Sequence, residues 1–256
     1  MPNNKVLFIV EGDSDEVKFL KNMLEKCFAQ QNFQIYSYKT NIHVLAQVLY
    51  DDYPDFEDDD IDIKLVLRSL ETNTYKREIL SQEYRDVFLI FDFDPQHDTP
   101  HFDTVRRMLA FFSDSTDRGK LFVNYPMMQS FKHFGVLPDD TFISRKVNRE
   151  QISHYKELVG KESKFTDITK YSYITFVSLA VHHIRKANYL LTGQYTLPDL
   201  DVYFSWSSLA LYDLQHAMFV DRGEVYVLNT SMFMLMDFAP NTFLHQVITS
   251  HDKFDI

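Results

Sequence analysis

Two uninterrupted apolar runs stand out along the chain, Lys5–Val10 (KVLFIV) and Val87–Phe91 (VFLIF). Runs of this length without polar alternation are expected of strands buried on both faces, as in a parallel sheet. Glu11-Gly12 ends the first run. Asp13 and Glu16 then form a capping-box pattern whose acidic first turn suits a helix N-terminus. Val17, Leu20, Leu24, Cys27 and Phe28 follow at helical spacing and predict a helix over 14–29 with one apolar stripe. Phe33–Tyr38 alternates, as a second strand does, and Asn41 caps a helix running to about Tyr50. Ile61–Leu70 fits both periods, and 73–85 reads as helical or irregular. A helix over Asp103–Phe112 and a short strand at Leu121–Asn124 complete the first half. Strand and helix alternate throughout, which predicts an α/β fold with a mostly parallel sheet flanked by helices and right-handed crossovers.

The second half changes character. Residues 171–192 and 202–221 read as long helices, and Glu224–Leu228 as a short strand or extended segment. We therefore expect a sheet domain over 1–135 and a mainly helical C-terminal region over 136–256 packed on it. Cys27 falls on an apolar helix face and reads as core. Tyr203, Phe204, Trp206 and Tyr212 could form a stacking or partner surface, but core packing is the simpler reading. His182-His183 reads as structural.

Composition narrows the function classes. A single cysteine excludes an internal disulfide, and the chain starts without a hydrophobic leader, so a cytoplasmic home is expected. No uncharged apolar run is long enough to span a bilayer. Net charge is −11, with residues 1–130 contributing −9 and 131–256 contributing −2. Such a chain does not hold nucleic acid by bulk electrostatics, so a phosphate-bearing substrate would need metal ions or a partner for positive charge. The acidic run at about 51–62 carries eight carboxylates and reads as a solvated loop. Residues 144–170 are the most basic stretch, and Arg145, Lys146, Arg149, Lys156 and Lys161 are candidates for phosphate or partner contact.

The candidate chemistry lies where the two apolar strands end. In a parallel sheet the carboxyl ends of the strands share one edge, and ligands bind there. Glu11 ends one strand, and Asp92 and Asp94 end the other, two residues apart and able to face one side. Asp15 lies one turn further on, at the start of the following helix. Four converging carboxylates repel unless a cation compensates, and hard oxygen donors suit Mg²⁺ or Mn²⁺.

VLFIVEGDSDEVKFL (residues 6–20) resembles the first motif of Toprim domains, and its further acid at Asp15 resembles the OLD (overcoming lysogenization defect) nucleases. IFDFDP (residues 90–95) resembles the Toprim Asp-x-Asp motif. The resemblance covers about the first 135 residues. It departs from the family in Pro95 where a glycine often follows, and in the eighty residues between motifs, which imply an acidic insertion. NYPMMQSFKHF (residues 124–134) resembles a segment of small stand-alone Toprim proteins of bacterial defence loci, with Gln129 where those commonly carry Glu. Gln129 could bond substrate or pack, and Lys132 or His133 could contact phosphate.

The resemblance implies Mg²⁺- or Mn²⁺-dependent phosphodiester hydrolysis of DNA or tRNA, with Glu11, Asp92 and Asp94 catalytic. It also implies an effector of anti-phage abortive infection. The chain carries no P-loop, so an ABC-type ATPase partner would act in trans. A homodimer is plausible from the aromatic richness. The rival expectation is a non-catalytic Toprim-fold binding or regulatory module.

Overall fold

A computed structural model of the chain describes residues 5–28 and 32–249. Its centre is the strand β1 (Lys5–Val10), whose residues are buried from Val6 onward. β2 (Asn32–Ser37) pairs parallel to it on one side and β3 (Asp86–Asp92) on the other. β5 (Gly119–Asn124) adds parallel to β3, and the two-residue β4 (Ser113–Asp114) closes the edge antiparallel, giving the order β2-β1-β3-β5-β4. The chain runs from β1 to β2 in one direction and returns past β1 to β3. The carboxyl ends of β1 and β3 therefore flank the point where strand order reverses.

The helices follow their sequence signals. α1 (Asp15–Cys27) buries Glu16, Phe19, Leu20, Met23 and Leu24. Asp13 does not cap it, contrary to the capping-box expectation. Ser14 holds the N-cap position without a side-chain bond, and Asp13 instead pairs with Lys39 at 2.8 Å. α2 (Ile42–Asp52) is capped by Asn41, whose side chain accepts the N–H of Val44 at 3.0 Å. Ile61–Leu70 resolves as the helix α3 (Ile63–Leu70), because Asp62 supplies an N-cap, and α4 (Thr74–Leu80) follows. The acidic run is not wholly solvated: Glu57 pairs with Arg107 and Asp60 with Arg118. α5 (Phe102–Phe111) packs beside α2.

Past β5 a 3₁₀ turn over 128–132 leads into the C-terminal region. Its β6 (Lys146–Asn148) pairs with β7 (Glu224–Tyr226) in a second, two-stranded sheet. Between them lie α6 (Arg149–Ser153), α7 (Tyr155–Glu162), α8 (Tyr173–Thr192), α9 (Leu200–Ser205) and α10 (Ser208–Arg222). The helix expected over 202–221 is broken at Trp206-Ser207, both extended, with Ser207 as the new N-cap. α11 (Met234–Phe238) and α12 (Pro240–Thr249) end the described chain.

α8 packs against α1 and α10 against α5. The C-terminal region thus covers both the helix that follows β1 and the one that follows β3. One hydrophobic cluster runs from Val6 through Phe88 and Leu179 to Val247. Cys27 is half-buried against it, and Tyr203 and Tyr212 lie inside it, whereas Phe204 is exposed. His182 and His183 are buried and accept the N–H groups of Asp139 and Asn229 through their rings, a structural use. No helix among the described residues is long and apolar enough to cross a membrane.

Candidate functional site

Glu11 is held where β1 leaves the sheet. Its N–H donates to Ile90 O at 3.2 Å, and its carbonyl accepts the N–H of Lys39 at 2.8 Å. The side chain turns across the switch point, and Oε2 accepts the N–H of Asp92 at 3.0 Å. Asp92 in turn accepts the N–H of Met128 on Oδ1 at 2.6 Å. The turn carrying Met128 is pinned from the C-terminal region, where the fully buried Asn229 donates Nδ2–H to Met128 O at 2.9 Å. Each carboxylate thus uses one oxygen on an amide and keeps the other.

Asp94 sits two residues on, at φ 41, the left-handed region that Asp tolerates better than most residues. Its carbonyl is held by His43 Nε2 at 3.1 Å. Asp15 is not drawn in with Glu11 and Asp92. It is exposed on the first turn of α1 and accepts Gln129 Nε2–H at 3.1 Å. Gln129 is buried, and its Oε1 has no partner.

The electrostatics mark the same spot. Burial first, then the charges of Glu16 and Asp94, push the Glu11 carboxyl up to about 7, although the Asp92 amide opposes this. Burial, then Glu11 and Glu16, holds Asp92 well above the usual carboxylate range. Burial likewise raises Asp94 and Glu16. Lys156 on α7 is a cation that favours the ionised forms of Glu11, Glu16 and Asp92 alike. It is exposed, and α7 is anchored beside the site by Tyr155, whose hydroxyl bonds His133 Nδ1 at 2.9 Å.

Glu16 is the member the sequence reading assigned to a cap. Its signal was position, since it lies four residues before Leu20 on the buried stripe of α1, where a carboxylate is out of place. Gly12 makes room for it, because a Cβ there would stand 2.3 Å from Glu16 Oε2. His43 was also missed, as its role depends on two segments remote in sequence.

The other candidates lie apart from the carboxylates or beside them. Lys132 is half-buried, and burial lowers its pKa although Asp15 nearby opposes this. His133 is buried and bonded to Tyr155 and Glu162. Arg145 donates to His133 O at 2.8 Å and to Asp139 at 3.2 Å. Lys146 pairs with Glu224 at 3.6 Å and covers the Tyr226 ring. Arg149 stacks over Phe219. The basic stretch therefore mainly ties the C-terminal region together, with Lys156 its link to the acidic edge.

The donor chemistry suits a hard divalent cation: carboxylate oxygens of raised pKa and an orphaned amide oxygen, Gln129 Oε1, beside Asp15. Among the described residues, however, no three His, Cys, Asp or Glu side chains are gathered as a ready metal cage. An open depression of about 460 Å³ reaches Glu11 from the Lys39 side. No protein-family model, curated protein or solved structure matches the chain.

Proposed function

We propose that this chain is a Toprim-like, metal-dependent nuclease that hydrolyses phosphodiester bonds in DNA or tRNA. Its centre is Glu11, Asp92 and Asp94, with Asp15 at the rim. The observation that carries the reading is the meeting of Glu11 and Asp92 at the switch point of the sheet, both with raised pKa. Acidic groups kept this close at functional cost to the fold are expected where a cation compensates them. Mg²⁺ or Mn²⁺ bound there would supply Lewis-acid charge for a phosphate oxygen and lower the pKa of a bound water.

The chain's own residues do the rest. Glu11 and Asp92 would offer their free oxygens as ligands, with Asp94 two residues on as the further candidate. The one Glu11 oxygen not bonded to the Asp92 amide would serve either as a ligand or as the base that takes a proton from the attacking water. Lys156 and Lys132 offer positive charge for the substrate phosphate beside the acids. The motif resemblance extends the proposal to an effector of bacterial anti-phage defence, restrained and released by an ATPase supplied in trans, and the aromatic richness of the chain adds a homodimer.

The test is cleavage of plasmid DNA and tRNA by purified protein with Mg²⁺ or Mn²⁺, with and without an ATPase encoded next to it. Cleavage that Glu11→Ala abolishes is expected. Activity unchanged in that variant, or none under any condition, would leave the second reading, a non-catalytic binding module. That reading is favoured by the engagement of Asp15 with Gln129.

A further inference from the structure

Far from the carboxylates, between the β4 edge and helices α9 and α10, lies a cavity of about 650 Å³. Small-molecule sites run to roughly 300–1,000 Å³ with apolar and aromatic walls and a few convergent polar groups. We propose that this cavity binds a neutral planar heteroaromatic molecule, a nucleobase or nucleoside. The inference does not rest on the nuclease reading.

The walls favour a flat ring. Trp206 lies with its centroid 5.1 Å from Tyr203 and 6.2 Å from Phe233, and Phe204 beside them is 58% exposed. Bases of any sequence stack on such rings through their π-faces.

The polar groups ask for a donor edge. Trp206 lines the cavity, while its Nε1–H is shut off from solvent and has no acceptor. Asp237 accepts from Tyr203 at 2.8 Å and from Lys120 at 2.7 Å. A carboxylate has capacity for a further donor such as an exocyclic amine. Ser207 and Ser208 place hydroxyls in the lining.

Charge then separates nucleoside from nucleotide. Lys120 is the one cation among the described lining residues and is neutralised by Asp237, while Asp114 adds a negative charge. No unpaired cation is left among the described lining residues to meet a phosphate.

Trp206 is the chain's single tryptophan, so its indole N–H gives one resonance in a ¹H–¹⁵N spectrum. Adenosine, guanosine, cytidine and uridine, and their 5′-monophosphates, are titrated separately into the full chain. At least one nucleoside is expected to shift that resonance saturably, with its monophosphate about tenfold weaker. Phe204→Ala, at an exposed position that does not threaten folding, is expected to weaken binding about tenfold. Ser113→Arg, adding a cation at the wall, is expected to bring the monophosphate level with the nucleoside. The proposal is overturned if no nucleoside moves the resonance, if wild type binds monophosphates equally well, or if the shift follows protein concentration alone, as it would if a second copy filled the cavity.

Discussion

The His43 imidazole bridges two backbone segments, donating Nε2–H to Asp94 O at 3.1 Å and accepting the N–H of His101 on Nδ1 at 3.2 Å. Both bonds require the neutral ring with its proton on Nε2. Burial favours that state, lowering the pKa to about 4. His43 thus fixes the backbone on which the Asp94 carboxylate is carried.

Replacing His43 by Phe keeps a ring against Phe102 and removes both bonds. We expect a loss of about 1–3 kcal/mol in urea unfolding, from a half-buried N–H and carbonyl left unmet. Mn²⁺ affinity should fall with it, because Asp94 is no longer held at its positive φ. Wild-type values for both would show that His43 merely fills space.

Glu11 makes stability depend on pH in an unusual direction. Its folded pKa of about 7 lies above the ordinary 4.5, so between these values the folded chain binds more protons than the unfolded one. Stability from this group is therefore present at low pH and lost as pH rises through that window. Glu11→Gln should become progressively more stable than wild type from about pH 4.5 to 7, with a constant difference above. Parallel stability curves for the two proteins would refute the raised carboxyl.

The same repulsion predicts a metal response. Asp92→Asn keeps an oxygen for the Met128 amide while removing a charge, so it should raise the melting temperature of metal-free protein. Mg²⁺ should stabilise wild type more at about pH 8 than at about pH 5.5, since cations compete with protons for the same oxygens. Asp92→Asn should lose most of that response in a thermal-shift titration.

Lys156 favours the ionised form of Glu11 from an exposed position. Lys156→Glu should therefore leave the fold intact and move the acidic limb of the pH–rate profile to higher pH. An unmoved limb would mean that the limb does not report Glu11.

Gly12→Ala tests whether Glu16 belongs to the site. The new methyl would collide with Glu16 Oε2, the movable end of a side chain, so the helix should survive while the carboxylate is displaced. Cleavage should fall and the Glu11 titration should move toward its ordinary value. A wild-type pH profile in Gly12→Ala would remove Glu16 from the electrostatics of the centre.

The strand-end carboxylates were legible because the apolar runs before Glu11 and Asp92 admit only a buried strand, and strand ends share an edge. α2 was legible through Asn41, a cap with its helix directly behind it. Glu16 was misread because a local capping pattern fitted it equally well, and only packing against the sheet decides which way it turns. Lys156 reaches the acids through the docking of α7 by Tyr155 and His133, a contact between segments 22 residues apart. The break at Trp206-Ser207 carries neither proline nor glycine, and its local signal is the serine cluster of Ser205, Ser207 and Ser208. β6 is three residues long, too short for a period to register, whereas β7 lies within the extended segment expected over Glu224–Leu228.

The placement of β1 between β2 and β3 separates sequence distance from spatial distance. Glu11 and Asp92 are 81 residues apart yet joined by one hydrogen bond, and α2, α3, α4 and the acidic turn all lie within the crossover between them. Chain added to or removed from the tip of that excursion changes the separation of the two motifs without changing the register of β1 on β3. The crossover is thus a tolerant site for grafting a tag or sensor module, provided the Arg107–Glu57 and Arg118–Asp60 pairs that moor its acidic turn are kept.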